Sequence, residues 1–156
     1  MTETAGNHRI EITRVFSARP EQVFAAWTDP QALTSWLCPF GNRLQVEKLD
    51  LRPGGCYAMR MQGTDGRDNL ITGEYLVVDP PTCLEFTWSV EFLRAGADRS
   101  QEQKNSRVRI DLVSEGAGTR LTLTHDRFST KSAAADHRHG WEDCLEKLSA
   151  VTATNS

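Results

Sequence analysis

The sequence predicts an α+β fold in which a curved antiparallel β-sheet wraps around a long C-terminal α-helix, with two short helices after the first strand. Three observations lead to this prediction. Residues 10–16 and most of residues 44–126 alternate apolar and polar side chains at period two, as half-buried strands do. Two prolines between these regions suit the first turns of short helices. The last part of the chain changes to the 3.6-residue period of an amphipathic helix.

The two short helices follow the first strand directly. Pro20 opens the first, whose apolar face carries Val23, Phe24 and Trp27. Asp29 followed by Pro30 is a strong start signal for the second, because aspartate caps a helix and proline fits its first turn. The second helix carries Leu33, Trp36 and Leu37 and should end before Pro39.

A run of about six strands follows the helices. The strands are predicted at residues 44–51, 57–62, 71–78, 84–89, 108–112 and 121–125. Residues 52–55 and 64–69 are rich in turn formers, and Asp79-Pro80-Pro81 stops a strand because proline cannot donate to a ladder. Residues 94–106 are polar and unpatterned, which indicates a long mobile loop.

The predicted C-terminal helix begins near residues 129–132 and runs to about residue 152. Its apolar stripe consists of Trp141, Cys144, Leu145, Leu148 and Val151. Gly140 lies within the pattern, where glycine costs roughly 1 kcal/mol relative to alanine. A glycine at this place indicates that the helix approaches a neighbour closely.

A chain of 156 residues fits one domain, which we expect at residues 8–152 between flexible termini at 1–7 and 153–156. The net charge is −3 and both signs are mixed along the chain, so neither nucleic-acid nor membrane binding is expected. There is no signal-peptide pattern, and the four cysteines are widely spaced, which is typical of reduced thiols in a cytoplasmic protein. The sequence leaves open whether the chain forms a homodimer.

Several motif blocks resemble the Hsp-90 ATPase activator homologue-like family. They are residues 14–20 with 23–30, Trp36 with Pro39, residues 50–55, residues 73–75 with 80–81, residues 87–88, and His137-x-x-Gly140-Trp141 with Leu145 and Leu148. The resemblance covers residues 8 to 150 and implies the helix-grip fold of the START and pollen-allergen-like superfamily. Members of that superfamily hold lipids, steroids, polyketides and plant hormones between sheet and helix.

One difference from the family pattern bears on function. The eukaryotic co-chaperones for which the family is named grip the chaperone with an additional N-terminal domain. Only about nine residues precede the first strand here. We therefore expect the partner to be a small apolar or aromatic molecule rather than a chaperone.

The concave face of the sheet and the facing helix supply the candidate ligand-binding residues. The predicted set is Arg14, Trp36, Met59, Met61, Tyr75, Phe86, Trp88, Ile110, Leu112, Leu123, His125, His137, Trp141 and Leu145. Methionine side chains are flexible, and tryptophan and tyrosine combine a large apolar ring with one hydrogen-bonding group, so together they suit the lining of a ligand site. The alternative for each residue is an ordinary close-packed core.

Three polar candidates have two interpretations each. Arg14 shares strand parity with apolar residues, so it either points inward to an acidic partner or ligand anion, or snorkels outward. His125 and His137 either anchor a ligand carbonyl or phenol, or are satisfied core histidines. His137, His139 and Asp143 do not predict a metal site, because positions i and i+2 of a helix point about 200° apart. No cofactor is expected.

Three functions remain open at this point. The first is a binding or carrier module without turnover. The second is a cyclase, dehydratase or hydrolase in which Tyr75, Arg14 and His125 polarise a carbonyl, although no catalytic motif is present. The third is a co-chaperone-like interaction protein. An apolar cavity favours the first, converging polar groups favour the second, and a fully packed interior favours the third.

Overall fold

Seven antiparallel strands form one curved sheet in the computed structural model, which describes residues 8–38, 40–64, 66–96 and 102–153. The strands are β1 His8–Phe16, β2 Asn42–Leu49, β3 Cys56–Gly63, β4 Asp68–Asp79, β5 Cys83–Phe92, β6 Gln103–Glu115 and β7 Gly118–Phe128. Their order in the sheet is β1-β7-β6-β5-β4-β3-β2. Together with a long C-terminal helix, this arrangement confirms the predicted fold class.

The helices are α1 Pro20–Thr28, α2 Pro30–Trp36 and α3 Lys131–Ala153. Both short helices begin at the predicted prolines. The backbone N–H of Arg19 donates to the side chain of Gln22 at 3.0 Å, and Asp29 accepts a hydrogen bond from the backbone of Gln31 at 3.3 Å. These bonds satisfy backbone groups that a helix start leaves without an intrahelical partner.

Several predicted boundaries differ from the structure, and β5, β6 and β7 extend beyond the strands predicted at residues 84–89, 108–112 and 121–125. The polar segment 94–106 is only partly a loop, because β6 already begins at Gln103; residues 97–101 lie outside the described residues. Strand β4 begins at Asp68, inside the predicted turn 64–69, and β2 runs from Asn42 rather than from residue 44. At the start of β4 a polar residue with a partner continues the strand, because Arg60 binds both oxygens of Asp68, at 2.9 and 2.7 Å.

The C-terminal segment that was predicted to be flexible, residues 153–156, overlaps α3 by one residue. Residue 153 is the last residue of this helix, whereas residues 1–7 and 154–156 lie outside the described residues. Pro39, expected to follow the end of α2, also lies outside them. None of the helices in the described ranges is long and apolar enough to span a membrane.

Helix α3 lies on the concave face of the sheet and closes the core. Its near backbone neighbours are β1 and β7 at one edge of the sheet, together with α1 and α2. The predicted stripe is confirmed, since Trp141, Cys144, Leu145 and Leu148 are buried and Val151 is half-buried against the core. The helix therefore packs most closely on one side of the sheet.

We expect Leu148→Ala to lower the free energy of unfolding by about 2–5 kcal/mol, because removing a fully buried leucine leaves a cavity. Denaturant unfolding measures the change. Glu146→Ala, two residues away on the exposed side of α3, should cost less than about 1 kcal/mol. Equal losses in the two variants would show that this stripe does not face the core.

Candidate functional site

A pocket of about 700 Å³ lies between the N-terminal half of α3 and strands β3, β4 and β5. Its apolar lining is Leu37, Met61, Ile71, Trp88, Val90, Phe92, Ala133, Gly140, Trp141 and Cys144. Its polar lining is Asn42, Arg67, Asp68, Asn69, Arg94, Asp136, His137 and His139. Arg67, Arg94, Asp136 and His139 are exposed, which places the mouth of the pocket at their side.

A much smaller void of about 20 Å³ lies deeper in the core. It is lined by Trp27, Leu33, Leu37, Tyr57, Met59, Tyr75, Phe86 and Trp88. Leu37 and Trp88 line both spaces. These two side chains therefore form a shared wall between the pocket and the void.

The indole of Trp88 is held by a histidine of α3. Trp88 Nε1 donates to His137 Nε2 at 3.3 Å, and His137 Nδ1 lies 3.0 Å from the carbonyl oxygen of Ala133. Since a carbonyl can only accept, His137 carries its proton on Nδ1 and offers a bare Nε2 to the indole. Burial lowers the pKa of His137, although the Ala133 carbonyl and Asp136 act to raise it. Both ring nitrogens are thus occupied.

The indole of Trp141 is held by a histidine of β7 in the opposite tautomer. Trp141 Nε1 donates to His125 Nδ1 at 3.0 Å, and His125 Nε2 lies 2.8 Å from the Ser106 hydroxyl oxygen. The Ser106 hydroxyl proton is already committed to the carbonyl oxygen of Trp88 at 2.6 Å, so His125 Nε2 donates. Burial, reinforced by His137, lowers the pKa of His125 well below its usual value. His125 is a satisfied core histidine.

All four tryptophans of the chain belong to one aromatic cluster. Ring centroids are 4.5 Å apart for Trp27 and Trp36, 5.8 Å for Trp27 and Trp141, and 5.2 Å for Trp88 and Trp141. The cluster joins α1, α2, α3 and β5. It lies between the void and the pocket, because Trp27 lines the void, Trp141 lines the pocket and Trp88 lines both.

Two tyrosines line the void beside Phe86. The Tyr57 hydroxyl donates to the carbonyl oxygen of Thr87 at 2.5 Å. The ring of Tyr75 contacts those of Tyr57 and Phe86, with centroids 5.4 and 6.0 Å apart. Burial raises the pKa of Tyr75 to about 12, and burial with the neighbouring Tyr75 raises the pKa of Tyr57 as well. Both hydroxyls are therefore protonated donors at neutral pH.

The structure divides the predicted site residues into three groups. Met61, Trp88, His137 and Trp141 line the pocket, and Met59, Tyr75 and Phe86 line the void with Trp88. The remaining candidates line neither of these two spaces: Arg14, Trp36, Ile110, Leu112, Leu123, His125 and Leu145. Trp36, Ile110, Leu112, Leu123, His125 and Leu145 are buried in the core.

Arg14 lies at the edge of the core beside α3. Its Nη1 is 3.6 Å from Glu146 Oε2, and its side chain is 34% exposed. The partner carboxylate is 64% exposed, so this is a loose surface ion pair rather than a buried one. Arg14 thus has an acidic partner and lies away from the pocket.

Sequence reasoning missed several lining residues. Val90 and Phe92 continue the alternation of Phe86 and Trp88 to the end of β5, and Ile71 pairs with Met59 across β3 and β4. Ala133, Gly140 and Cys144 extend the helix face of His137 and Trp141. Extending the two-residue period to the ends of the strands, and the 3.6-residue period along the whole of α3, would have identified them. The rim residues Arg67 and Arg94 lie in loops and carry no periodic signal.

The described residues contain no group of three or more His, Cys, Asp or Glu side chains placed to hold a metal ion. His139 and Asp136 are exposed lining residues of the pocket, whereas His137 is half-buried and bonded to Trp88 and Ala133. The lining offers aromatic and apolar surfaces together with the charged side chains Arg67, Asp68, Arg94 and Asp136.

A protein-family model described as Activator of Hsp90 ATPase homolog 1-like protein matches residues 17–153. The chain belongs to this family. The resemblance predicted from the motif blocks is thereby confirmed, and so is the helix-grip fold that it implies. This fold is in general a ligand-binding one.

Solved structures of other Activator of Hsp90 ATPase homolog 1-like proteins and related chains share this fold. A protein from Chromobacterium violaceum is 28% identical, with a TM-score of 0.80 over 92% of this chain and 96% of that one. A protein from Silicibacter pomeroyi that carries the family's name is 26% identical, with a TM-score of 0.81 over 96% of this chain and 100% of that one. Among curated proteins, none matches the chain.

We expect stability to fall with pH below about 6.5, the ordinary pKa of an unfolded histidine. Folding lowers the pKa of His125 and His137, so the unfolded chain binds more protons there, and the stabilisation present above this pH is lost as pH falls. Melting temperatures between about pH 7.5 and pH 5.5 measure the slope. His125→Gln and His137→Gln should each flatten it.

His139→Gln is the matched control, because His139 is on the same helix as His137 but exposed. It should leave the slope of melting temperature against pH unchanged. Identical slopes in the wild type and all three variants would contradict the assignment of neutral histidines to the core.

Proposed function

We propose that the chain binds or carries a small apolar or aromatic molecule in the pocket between α3 and strands β3–β5. The observation that carries this proposal is the pocket itself. Its volume of about 700 Å³ lies within the range of roughly 300–1,000 Å³ that is usual for small-molecule sites. Such a space is large for a core, since ordinary interiors contain few voids larger than a water molecule.

The chemistry of the inner walls favours an apolar ligand body. The indole N–H groups of Trp88 and Trp141 already donate to histidines, and both nitrogens of His137 are occupied. These groups consequently offer rings rather than free hydrogen bonds to a ligand. Aromatic faces and the flexible thioether of Met61 pack well against aromatic or branched apolar groups.

The charged residues of the pocket lie at its exposed rim. Arg67, Arg94 and Asp136 can reach water, and Asp68 is held by Arg60. A polar group on the outer end of a ligand would therefore remain at the mouth, in contact with solvent. An apolar body with a polar outer end fits this distribution.

The positions of the candidate acid–base residues favour binding over catalysis. Arg14 pairs with Glu146 at the edge of the core, Tyr75 lines the inner void, and His125 is committed to Trp141 and Ser106. They do not converge on the pocket, as polarising a bound carbonyl there would require. The pocket likewise favours a role for the interior over a co-chaperone role for the surface alone.

The proposed place of action is the cytoplasm. The four cysteines are free thiols, and Cys38, Cys83 and Cys144 are buried. Burial raises the pKa of Cys83 and Cys144, which keeps these thiols protonated and unreactive. A reducing compartment suits four unpaired thiols.

We expect an apolar aromatic probe such as naphthalene to quench tryptophan fluorescence and to raise the melting temperature as its concentration rises. The quenching follows from Trp88 and Trp141 in the pocket walls, and the stabilisation follows because the probe binds only the folded state. Gly140→Leu should weaken binding at least tenfold, because its side chain would occupy the pocket. It should also keep the fold, since leucine is the better helix former by about 1 kcal/mol.

Ala150→Leu is the control, because it adds the same side chain to α3 at an exposed position outside the pocket. It should bind the probe as the wild type does. The proposal fails if a panel of apolar and aromatic compounds neither quenches fluorescence nor stabilises the wild type, or if Gly140→Leu binds them unchanged.

A further inference from the structure

One indole in the aromatic cluster differs from the other three. Trp36 Nε1 donates to the carbonyl oxygen of Ala26 at 3.0 Å, and Trp88 and Trp141 donate to His137 and His125. Trp27 Nε1 is buried and has no hydrogen-bond partner in the described part of the chain. The whole Trp27 side chain is nearly inaccessible, with the residue only 3% exposed.

An unpaired donor at this depth is energetically costly. A buried N–H without an acceptor loses roughly 1–3 kcal/mol relative to a paired one, and most buried polar groups in native proteins are paired. The fold supplies an acceptor to each of the other indoles. We therefore expect that an acceptor from outside the chain receives a hydrogen bond from Trp27 Nε1.

The void beside Trp27 has the size and lining for such an acceptor. Its volume of about 20 Å³ exceeds the roughly 10–15 Å³ that a single water-sized group needs. Its lining side chains are apolar or carry donors, and none is a carboxylate, carboxamide or imidazole. The Tyr75 hydroxyl is a second protonated donor on this lining, since burial raises its pKa to about 12. An acceptor oxygen suits this space, because Trp27 Nε1 can only donate and the Tyr75 hydroxyl can donate as well.

The void also lies next to the pocket. Leu37 and Trp88 line both spaces, so these two side chains are part of the wall between the pocket and the void. Trp27, on the void side, also packs against Trp141 of the pocket wall, with ring centroids 5.8 Å apart. A ligand at the inner end of the pocket thus lies against the same side chains that enclose the void beside Trp27.

We propose that the ligand of the pocket carries a carbonyl-type oxygen at its inner end, and that this oxygen enters the void and accepts a hydrogen bond from Trp27 Nε1. This inference rests on the proposed binding function and names the chemical class of the ligand. It makes Trp27 a specificity-determining residue. The site then prefers an aryl or alkyl ketone over a hydrocarbon of the same shape.

The test uses two probes that differ in one atom group. In 2-acetylnaphthalene a carbonyl oxygen occupies the place of the terminal CH₂ of 2-isopropenylnaphthalene. Dissociation constants of both are measured for the wild type, Trp27→Phe and Trp36→Phe. Trp27→Phe keeps an aromatic ring and removes the N–H, and Trp36→Phe makes the same change at an indole whose N–H is already occupied.

We expect Trp27→Phe to reduce the preference for the ketone roughly three- to tenfold, the loss of one neutral hydrogen bond. Trp36→Phe should leave the preference unchanged, even if it lowers stability. In the wild type, the indole N–H resonance of Trp27 should move downfield with the ketone and not with the hydrocarbon. This second measurement needs no variant.

The outcomes separate this inference from the proposed function. One outcome is that both probes bind, Trp27→Phe leaves the ratio of their dissociation constants unchanged and the Trp27 resonance responds equally to both. In that case the Trp27 N–H donates to a resident water or has no acceptor. The inference is then wrong, while the binding function stands. If neither probe binds and no other apolar or aromatic compound does, the proposed function and this inference fall together.

Discussion

The architecture depends on two indole N–H groups that are held by two neutral histidines. Trp141 of α3 donates to His125 of β7, and Trp88 of β5 donates to His137 of α3. Ser106 of β6 links the two pairs by accepting from His125 and donating to the Trp88 carbonyl. Because an indole can only donate, each histidine must present a bare nitrogen, and the two rings adopt opposite tautomers. The network thereby ties the helix to three strands at once.

The same network determines the character of the pocket. Trp88, Trp141 and His137 form its inner wall, and their polar atoms are directed to one another. The wall therefore behaves as an apolar surface although it is built from polar side chains. Helix α3 packs closely on β1 and β7, and the pocket lies on its other side over β3–β5. The pocket thus follows from an asymmetric seating of the helix, and Gly140, which was expected to permit a close approach to a neighbour, lines this open space instead.

Much of this fold could be predicted from the sequence, whereas only part of the site could. Alternation in the strands and the Trp141–Leu148 stripe identified the sheet, its concave face and the buried face of α3. Periodicity shows which face a residue is on and not its distance from the helix. Ile110, Leu112 and Leu123 are on the same face as Met61 and Trp88, yet they are buried in the packed core and line neither space. The loop expected at residues 94–106 is wrong at residues 103–106, which belong to β6. The reason is related: Ser106 is a polar residue whose partners Trp88 and His125 are distant in sequence.

The tautomers of the two histidines test this account most directly. Nitrogen-15 NMR of the imidazole rings near neutral pH distinguishes a protonated from a bare nitrogen at each position. The account predicts that His125 carries its proton on Nε2 and His137 on Nδ1, and that both rings are uncharged. A charged ring, or the same tautomer in both histidines, would show that one of the indoles does not donate to its histidine. The link between helix and sheet, and with it the apolar wall of the pocket, would then need another basis.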